Sequence, residues 1–120
     1  MATVLCTGVE RSLIMTRVMI LESAGHSVVP AAGVKEIIAA CAERKFDIAV
    51  IGQVVNSAEK LRIFHLVRKN CPQAKILELY SPHTGKVLKE ANAWLEVPTE
   101  IPSNLAEHVG ALAGKKKKQT

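Results

Sequence analysis

The sequence predicts an α/β fold: one doubly wound, five-stranded parallel sheet with strand order 2-1-3-4-5 and five helices. Short apolar runs without in-and-out alternation recur along the chain, as is typical of strands covered on both faces. Each run precedes a segment whose apolar residues have helical spacing. Strands that alternate with helices imply right-handed crossovers and a parallel sheet, and 2-1-3-4-5 is a common order at this size.

The first half of the chain contains three units of a strand followed by a helix. Gly25 is the predicted C-cap of the first helix, because glycine readily adopts the left-handed conformation that ends helices. Ser57 is the predicted N-cap of the third helix, which ends at Cys71-Pro72. The units pair a strand over 3–7 with a helix over 11–24, 27–30 with 34–44, and 47–51 with 58–70.

The second half contains two further strands and two helices. We assign residues 1–114 to one domain and residues 115–120 to a basic, disordered tail that begins with the run Lys115–Lys118. The predicted elements are a strand over 75–80, a loop over 81–85, a short helix over 85–91, a strand over 93–95 and, after Val97-Pro98, a helix over 103–113.

Composition narrows the function. With 120 residues, 48% of them apolar and 22% charged, the chain is long enough for one folded domain. It lacks both a signal segment and the roughly 20 apolar residues needed to cross a bilayer, so we expect a cytoplasmic protein without a membrane partner. The net charge of +5 falls to +1 without Lys115–Lys118, and aromatic residues make up 3%, so nucleic-acid binding is not expected.

The cysteines and histidines indicate neither a disulfide framework nor a metal site. Cys6, Cys41 and Cys71 are odd in number and lack CxxC spacing, which favours packing roles. The four histidines are scattered without the spacing of metal ligands. We therefore predict no metal, no cofactor and no catalytic residue.

The stretch "CTGVERS" lies where the first strand would end, at the edge of the sheet that binds ligands in such folds. It is similar to the phosphate loop of low-molecular-weight tyrosine phosphatases, with Cys6 as the nucleophile. Four residues separate Cys6 from Arg11, where the phosphatase loop has five. One of the four, Glu10, is an anion in a loop that should attract an anionic substrate. Asp47 is the single aspartate of the chain, so no aspartate is present on a later loop to act as the general acid. A cysteine-dependent phosphatase or phosphocarrier that uses Cys6 remains the enzymatic alternative.

From about residue 3 to residue 112 the chain resembles the receiver domain of bacterial response regulators, a CheY-like, flavodoxin-like fold. The resemblance rests on the order and spacing of four stretches. Receivers accept a phosphoryl group on an aspartate after the third strand, assisted by a Mg²⁺-binding acidic pair, a hydroxyl residue and a lysine. The stretches are "VLCTGVERSLIMTRVMILESAGHSVVPAAG", "FDIAVIG", "KILELYS" and "ANAWLEVP".

Most of the receiver's chemical groups are missing at the matching positions. Only the hydroxyl is retained, as Tyr80 or Ser81, an alternative that the sequence leaves open; Glu10 is the one acidic residue near the metal position. The resemblance therefore implies a pseudo-receiver that is not an enzyme. The replacements are Gly52 for the acceptor, Gly8 and Val9 for the acidic pair, and Val97 for the lysine.

Without phosphorylation, function has to come from binding. We expect a protein of a bacterial two-component-like system that acts through protein–protein contacts, with a homodimer as one form. In receivers the fourth helix and the fifth strand and helix contact partners, so Trp94 and Tyr80 are the candidate interaction residues. Packing over the edge strand is the other interpretation of Trp94. A further alternative is a small-ligand sensor that uses the space beside Gly8 and Gly52.

Overall fold

A five-stranded parallel sheet carries helices on both of its faces. The computed structural model describes residues 2–52, 56–98 and 103–118. The strand order β2-β1-β3-β4-β5 confirms the predicted order, and each pair of neighbouring strands is parallel. The elements are β1 (Thr3–Gly8), α1 (Arg11–Ser23), β2 (Ser27–Ala32), α2 (Gly33–Glu43), β3 (Ile48–Ile51), α3 (Ser57–Asn70), β4 (Lys75–Tyr80), β5 (Ala93–Glu96) and α4 (Ser103–Lys118).

The sheet separates two apolar layers, because successive residues of a strand point to opposite faces. Val4 and Cys6 of β1 face α1 and α4, whereas Leu5 faces α2 and α3. The α1–α4 layer includes Ile14, Val18, Leu21, Val50, Leu77, Leu105 and Val109. The α2–α3 layer includes Ile37, Phe46, Ile51, Ile63, Phe64, Val67 and Ile76.

Two helix ends depend on single residues. Ala24, not Gly25, is the C-cap of α1, so the predicted C-cap is wrong by one residue; Gly25 is the next residue and has a φ of 96°. The predicted N-cap of α3 is wrong by one residue. Asn56, not Ser57, is the cap, and its Oδ1 accepts hydrogen bonds from the backbone N–H groups of Ala58 and Glu59 at 2.9 and 3.3 Å.

The short helix predicted over residues 85–91 does not form, so the described residues contain four helices instead of five. The backbone N–H groups of Val87 and Leu88 donate to the carboxylate of Glu78 instead of to helical carbonyls. Gly85 has a φ of 68°, which a right-handed helix excludes. Two hydrogen bonds to a single buried carboxylate thus hold this segment in place of the predicted helix.

The last helix is longer than predicted. The backbone of α4 is helical through Lys118, beyond the predicted end at residue 113. The assignment of residues 115–120 to a disordered tail stays a prediction. The disorder expected at Gln119 and Thr120 lies outside the described residues. Within the described part of the chain, no helix has the length and hydropathy of a membrane span.

The sequence predicts packing roles for Cys41 and Cys71, but in the structure these two cysteines form a disulfide. It joins α2 to the C-cap of α3, with a Cα–Cα distance of 5.8 Å and a sequence separation of 30. Spacing along the chain gave no sign of it, because the two cysteines meet only when α2 and α3 pack side by side on the sheet.

Candidate functional site

The site lies where β1 and β3 end, and its centre is Gly52. This residue follows β3, is buried, and donates its backbone N–H to the carbonyl of Thr7 at 3.1 Å. A Cβ atom at position 52 would lie 2.7 Å from Nη1 of Arg17 and 3.1 Å from the Thr7 carbonyl oxygen. Gly52 does not have a positive φ, so space, not backbone conformation, requires glycine here.

Arg17 comes from the second turn of α1, and its guanidinium lies over Gly52. The side chain is largely buried, and this burial lowers the pKa of the guanidinium, opposed by the nearby Cys6 and Glu10. Among the described residues, none forms a hydrogen bond or an ion pair with the guanidinium. Sequence reasoning missed Arg17, although a basic residue between Ile14, Val18 and Leu21 was a detectable signal.

Among the described residues, the positions that correspond to the receiver's acidic pair hold no cluster of acidic ligands. Gly8 is buried at the end of β1, and Val9 is 47% exposed. Glu10 is exposed at the N-cap of α1, and its side chain makes no capping hydrogen bond. In the described ranges, no group of three histidine, cysteine or acidic residues could hold a metal ion.

The position that corresponds to the receiver's lysine holds an apolar residue in apolar surroundings. Val97 is buried in the α1–α4 layer, beside Leu79 and Leu105. Its backbone N–H donates to the carbonyl of Tyr80 at 2.7 Å. This position therefore supplies packing and one strand-end hydrogen bond, but no cation.

The two candidates for the hydroxyl position have different surroundings. Ser81 belongs to a tight turn, in which its Oγ lies 3.1 Å from Oγ1 of Thr84 and accepts from the Thr84 N–H at 3.3 Å. Tyr80 is the last residue of β4 and is half-buried beneath the ammonium of Lys86. Which of the two matches the receiver's hydroxyl residue stays a prediction.

Cys6 has none of the properties of a nucleophile. Its side chain is fully buried in the α1–α4 layer, and its Sγ lies 4.0 Å from the carbonyl oxygen of Ile14. Burial raises the pKa of this thiol to about 12, so the reactive thiolate is scarce at neutral pH. The geometry does not support a phosphatase or phosphocarrier that uses Cys6.

The two predicted interaction residues lie together. The ammonium of Lys86 is 5.2 Å from the ring centroid of Trp94 and 5.6 Å from that of Tyr80, within range of cation–π attraction to both. Trp94 is half-buried, and its Nε1 donates to the Leu88 carbonyl at 3.1 Å. The cation that joins the aromatic rings was not predicted.

A buried ion pair on the α2–α3 face was also missed. Nζ of Lys60 lies 2.8 Å from Oε2 of Glu78, and both side chains are 0% exposed. The ammonium also donates to the carbonyl of Leu79 at 2.7 Å. The signals were a lysine in helical register with apolar Ile63 and Phe64, and a glutamate in the middle of the apolar run "KILELY".

Comparison of this architecture with solved structures identifies the fold. NtrX from Brucella abortus, solved in complex with ADP, superposes with a TM-score of 0.80 at 16% identity; the alignment covers 98% of this chain but 27% of NtrX. The chemotaxis protein CheY4 of Vibrio cholerae gives a TM-score of 0.76 at 23% identity, covering 93% of this chain and 98% of CheY4. A CheY-like receiver domain protein from Methanospirillum hungatei gives 0.78 at 20% identity, covering 98% of both chains.

No protein-family model matches the sequence, and no curated protein sequence matches it either. The likeness is therefore one of three-dimensional structure. It extends over nearly the whole chain. The protein has the flavodoxin-like α/β fold of response-regulator receiver domains.

Proposed function

We propose that this protein is a phosphorylation-independent pseudo-receiver that acts through protein–protein contacts in a two-component-like signalling system. It is not an enzyme in this proposal, and it works in the cytoplasm. The observation that carries the proposal is the guanidinium of Arg17 over Gly52, at the end of the strand where a receiver presents its acceptor aspartate.

The chemistry of phosphoryl transfer supports the proposal. An acceptor carboxylate must attack the phosphoryl group, and a metal ion and a lysine must neutralise the charge that develops. No aspartate or glutamate occurs between Ile48 and Ala58. At the metal and lysine positions, Gly8, Val9 and Val97 offer neither oxygen ligands from side chains nor a cation.

Electrostatics also argues against Mg²⁺ binding at this site. A divalent cation in a receiver site is held by several negatively charged oxygens. Here the charge that lies over Gly52 is a cation, Arg17, and among the described residues Glu10 is the acidic group whose charge acts on it. Two positive charges in one poorly solvated site repel each other, so the guanidinium opposes metal binding.

The surface that we propose for partner contact consists of Trp94, Tyr80 and Lys86. Tryptophan and tyrosine contribute large contact area, and they are enriched among the residues that dominate binding energy in protein interfaces. Lys86 holds the two rings in one cluster at the β5 edge of the sheet. A protein partner, or a second copy of this chain, would cover this cluster.

Incubation with Mg²⁺ and acetyl phosphate tests the proposal. We expect no covalent phosphoryl adduct by intact mass and no Mg²⁺-dependent change in the fluorescence of Trp94, the single tryptophan. An intact receiver domain treated in parallel serves as the positive control. A stoichiometric, Mg²⁺-dependent adduct on this protein would refute phosphorylation independence.

A further inference from the structure

The Arg17 guanidinium carries a charge that the described part of the protein does not neutralise. A buried charge is costly unless it is paired and hydrogen-bonded, and guanidinium groups in proteins usually find carboxylates, carbonyls or water. Arg17 is largely buried, yet it makes no hydrogen bond or ion pair within the described residues. Five N–H donors are therefore available at the ends of β1 and β3.

The neighbouring groups cannot act as its counter-ion. Cys6 holds its proton at neutral pH, because burial raises the pKa of the thiol to about 12. Glu10 raises the pKa of Arg17 by its charge, but no oxygen of Glu10 lies within 4 Å of the guanidinium. Glu10 is also exposed, so solvent screens its charge.

The surroundings leave room for a ligand. Glycine at position 52 lets Nη1 of Arg17 lie directly over the backbone at the end of β3. The Arg17 side chain also lines a cavity of about 220 Å³, between α1, α4 and the ends of β4 and β5. Its other walls are mostly apolar and include Leu13, Ile20, Leu79, Val97 and Leu105.

We propose that Arg17 binds a small oxyanion at the carboxyl ends of β1 and β3. A planar guanidinium fits two oxygens of a carboxylate or a phosphate through parallel N–H···O bonds, and it binds most strongly where water is excluded. The apolar walls of the cavity favour a carboxylate that carries a short aliphatic chain. The site then senses an organic anion at the place where a receiver is phosphorylated.

Isothermal titration of the intact protein with butyrate and, separately, with inorganic phosphate tests this site. We expect saturable binding of butyrate, with phosphate binding more weakly. Arg17→Gln abolishes binding, whereas Arg17→Lys, which keeps the charge but loses the two-pronged geometry, weakens it about ten-fold. Arg62→Gln, which removes an exposed guanidinium from α3, is the matched control and binds like the wild type.

Position 52 gives an independent test should Arg17 variants fold poorly. The methyl group of Gly52→Ala takes the place of Nη1 of Arg17 and displaces the end of that flexible side chain, so butyrate binding weakens, again by about ten-fold. Gly110→Ala, on the exposed side of α4, is the control, because its methyl group meets nothing within 4 Å. Circular dichroism checks the fold of every variant.

The outcomes separate this inference from the proposed function. Phosphate bound through Arg17 more tightly than butyrate supports the oxyanion site and overturns the preference for an aliphatic carboxylate. No saturable binding of either anion to the wild type, or equal binding by Arg17→Gln, overturns the site. Neither result depends on whether acetyl phosphate forms a covalent adduct.

Discussion

The two faces of the sheet differ in the partners that each provides to a cationic side chain. On the α2–α3 face, Lys60 is completely enclosed, and the protein supplies both a carboxylate and a carbonyl to its ammonium. On the α1–α4 face, Arg17 lies over Gly52 without a partner among the described residues. A satisfied charge fixes structure, whereas an unsatisfied charge is available to a ligand.

The α2–α3 face is also the more constrained of the two. Glu78 binds Lys60 and, through Val87 and Leu88, holds the segment that connects β4 to β5. The Cys41–Cys71 disulfide joins the two helices on that face. The α1–α4 face instead contains the cavity beside Arg17. We therefore attribute structural stability to the α2–α3 face and the proposed ligand binding to the α1–α4 face.

The largest expected effect comes from breaking the buried ion pair. Lys60→Met leaves the Glu78 carboxylate buried without its cation, so we expect a loss of about 3–5 kcal/mol in the free energy of unfolding. Urea denaturation followed by Trp94 fluorescence measures it, with exposed Arg62→Gln as the control. Adding Glu78→Gln to Lys60→Met removes the uncompensated charge and restores part of the loss; a change below about 0.5 kcal/mol in Lys60→Met would contradict the structural role.

The disulfide has the next largest effect. In the chain-entropy account, a cross-link between residues 30 apart stabilises by roughly 3–4 kcal/mol. We expect Cys41→Ser to lose about that much by urea denaturation, and a reductant to lower the wild type to the same level. The cytoplasm keeps most thiols reduced, so the cross-link would be absent from the protein in that compartment. A wild type that is insensitive to the reductant would show that the bond is not formed.

Arg17 is predicted to contribute nothing to stability in the absence of an anion. Arg17→Met replaces a guanidinium that has no partner among the described residues with an apolar chain, so the free energy of unfolding stays the same or rises by about 1 kcal/mol. Urea denaturation without phosphate or carboxylate buffers measures this change. A loss of about 2 kcal/mol or more would show that Arg17 is a structural residue, like Lys60, and would remove the contrast between the faces.

Cys6 is predicted to be inert. With a thiol pKa of about 12, only about one molecule in 10⁴ carries the thiolate at pH 8, and the side chain is enclosed. We expect no reaction with a thiol reagent in the native protein and one reactive thiol after unfolding without reductant. Rapid modification of Cys6 in the native state would revive the enzymatic alternative.

The architecture could be predicted from sequence because it depends on repeated local patterns. Apolar runs such as Ile48–Ile51 and the helical spacing of Ile14, Val18 and Leu21 define the strands, the helices and the sheet order. The missing helix over 85–91 could not be predicted, because Glu78 determines that segment from a distant strand. Local sequence propensity does not report a hydrogen bond to a side chain on another element.

The sequence predicted the candidate site only through the receiver residues that are missing from it. Gly52, Gly8 and Val97 were found by comparing positions with a known pattern, whereas Arg17 entered only with the structure, because its guanidinium reaches Gly52 from another element. The disulfide and the Lys60–Glu78 pair were missed for the same reason. Pairs of residues that are distant in sequence require the fold before their chemistry can be recognised.

The central claim is that the end of β3 holds a cation and not a phosphoryl acceptor. An amide NMR spectrum of the ¹⁵N-labelled protein, recorded before and after addition of Mg²⁺ and beryllofluoride, tests it most directly. We predict that the Gly8 and Gly52 resonances do not move. Saturable, Mg²⁺-dependent shifts at these two glycines would contradict the claim.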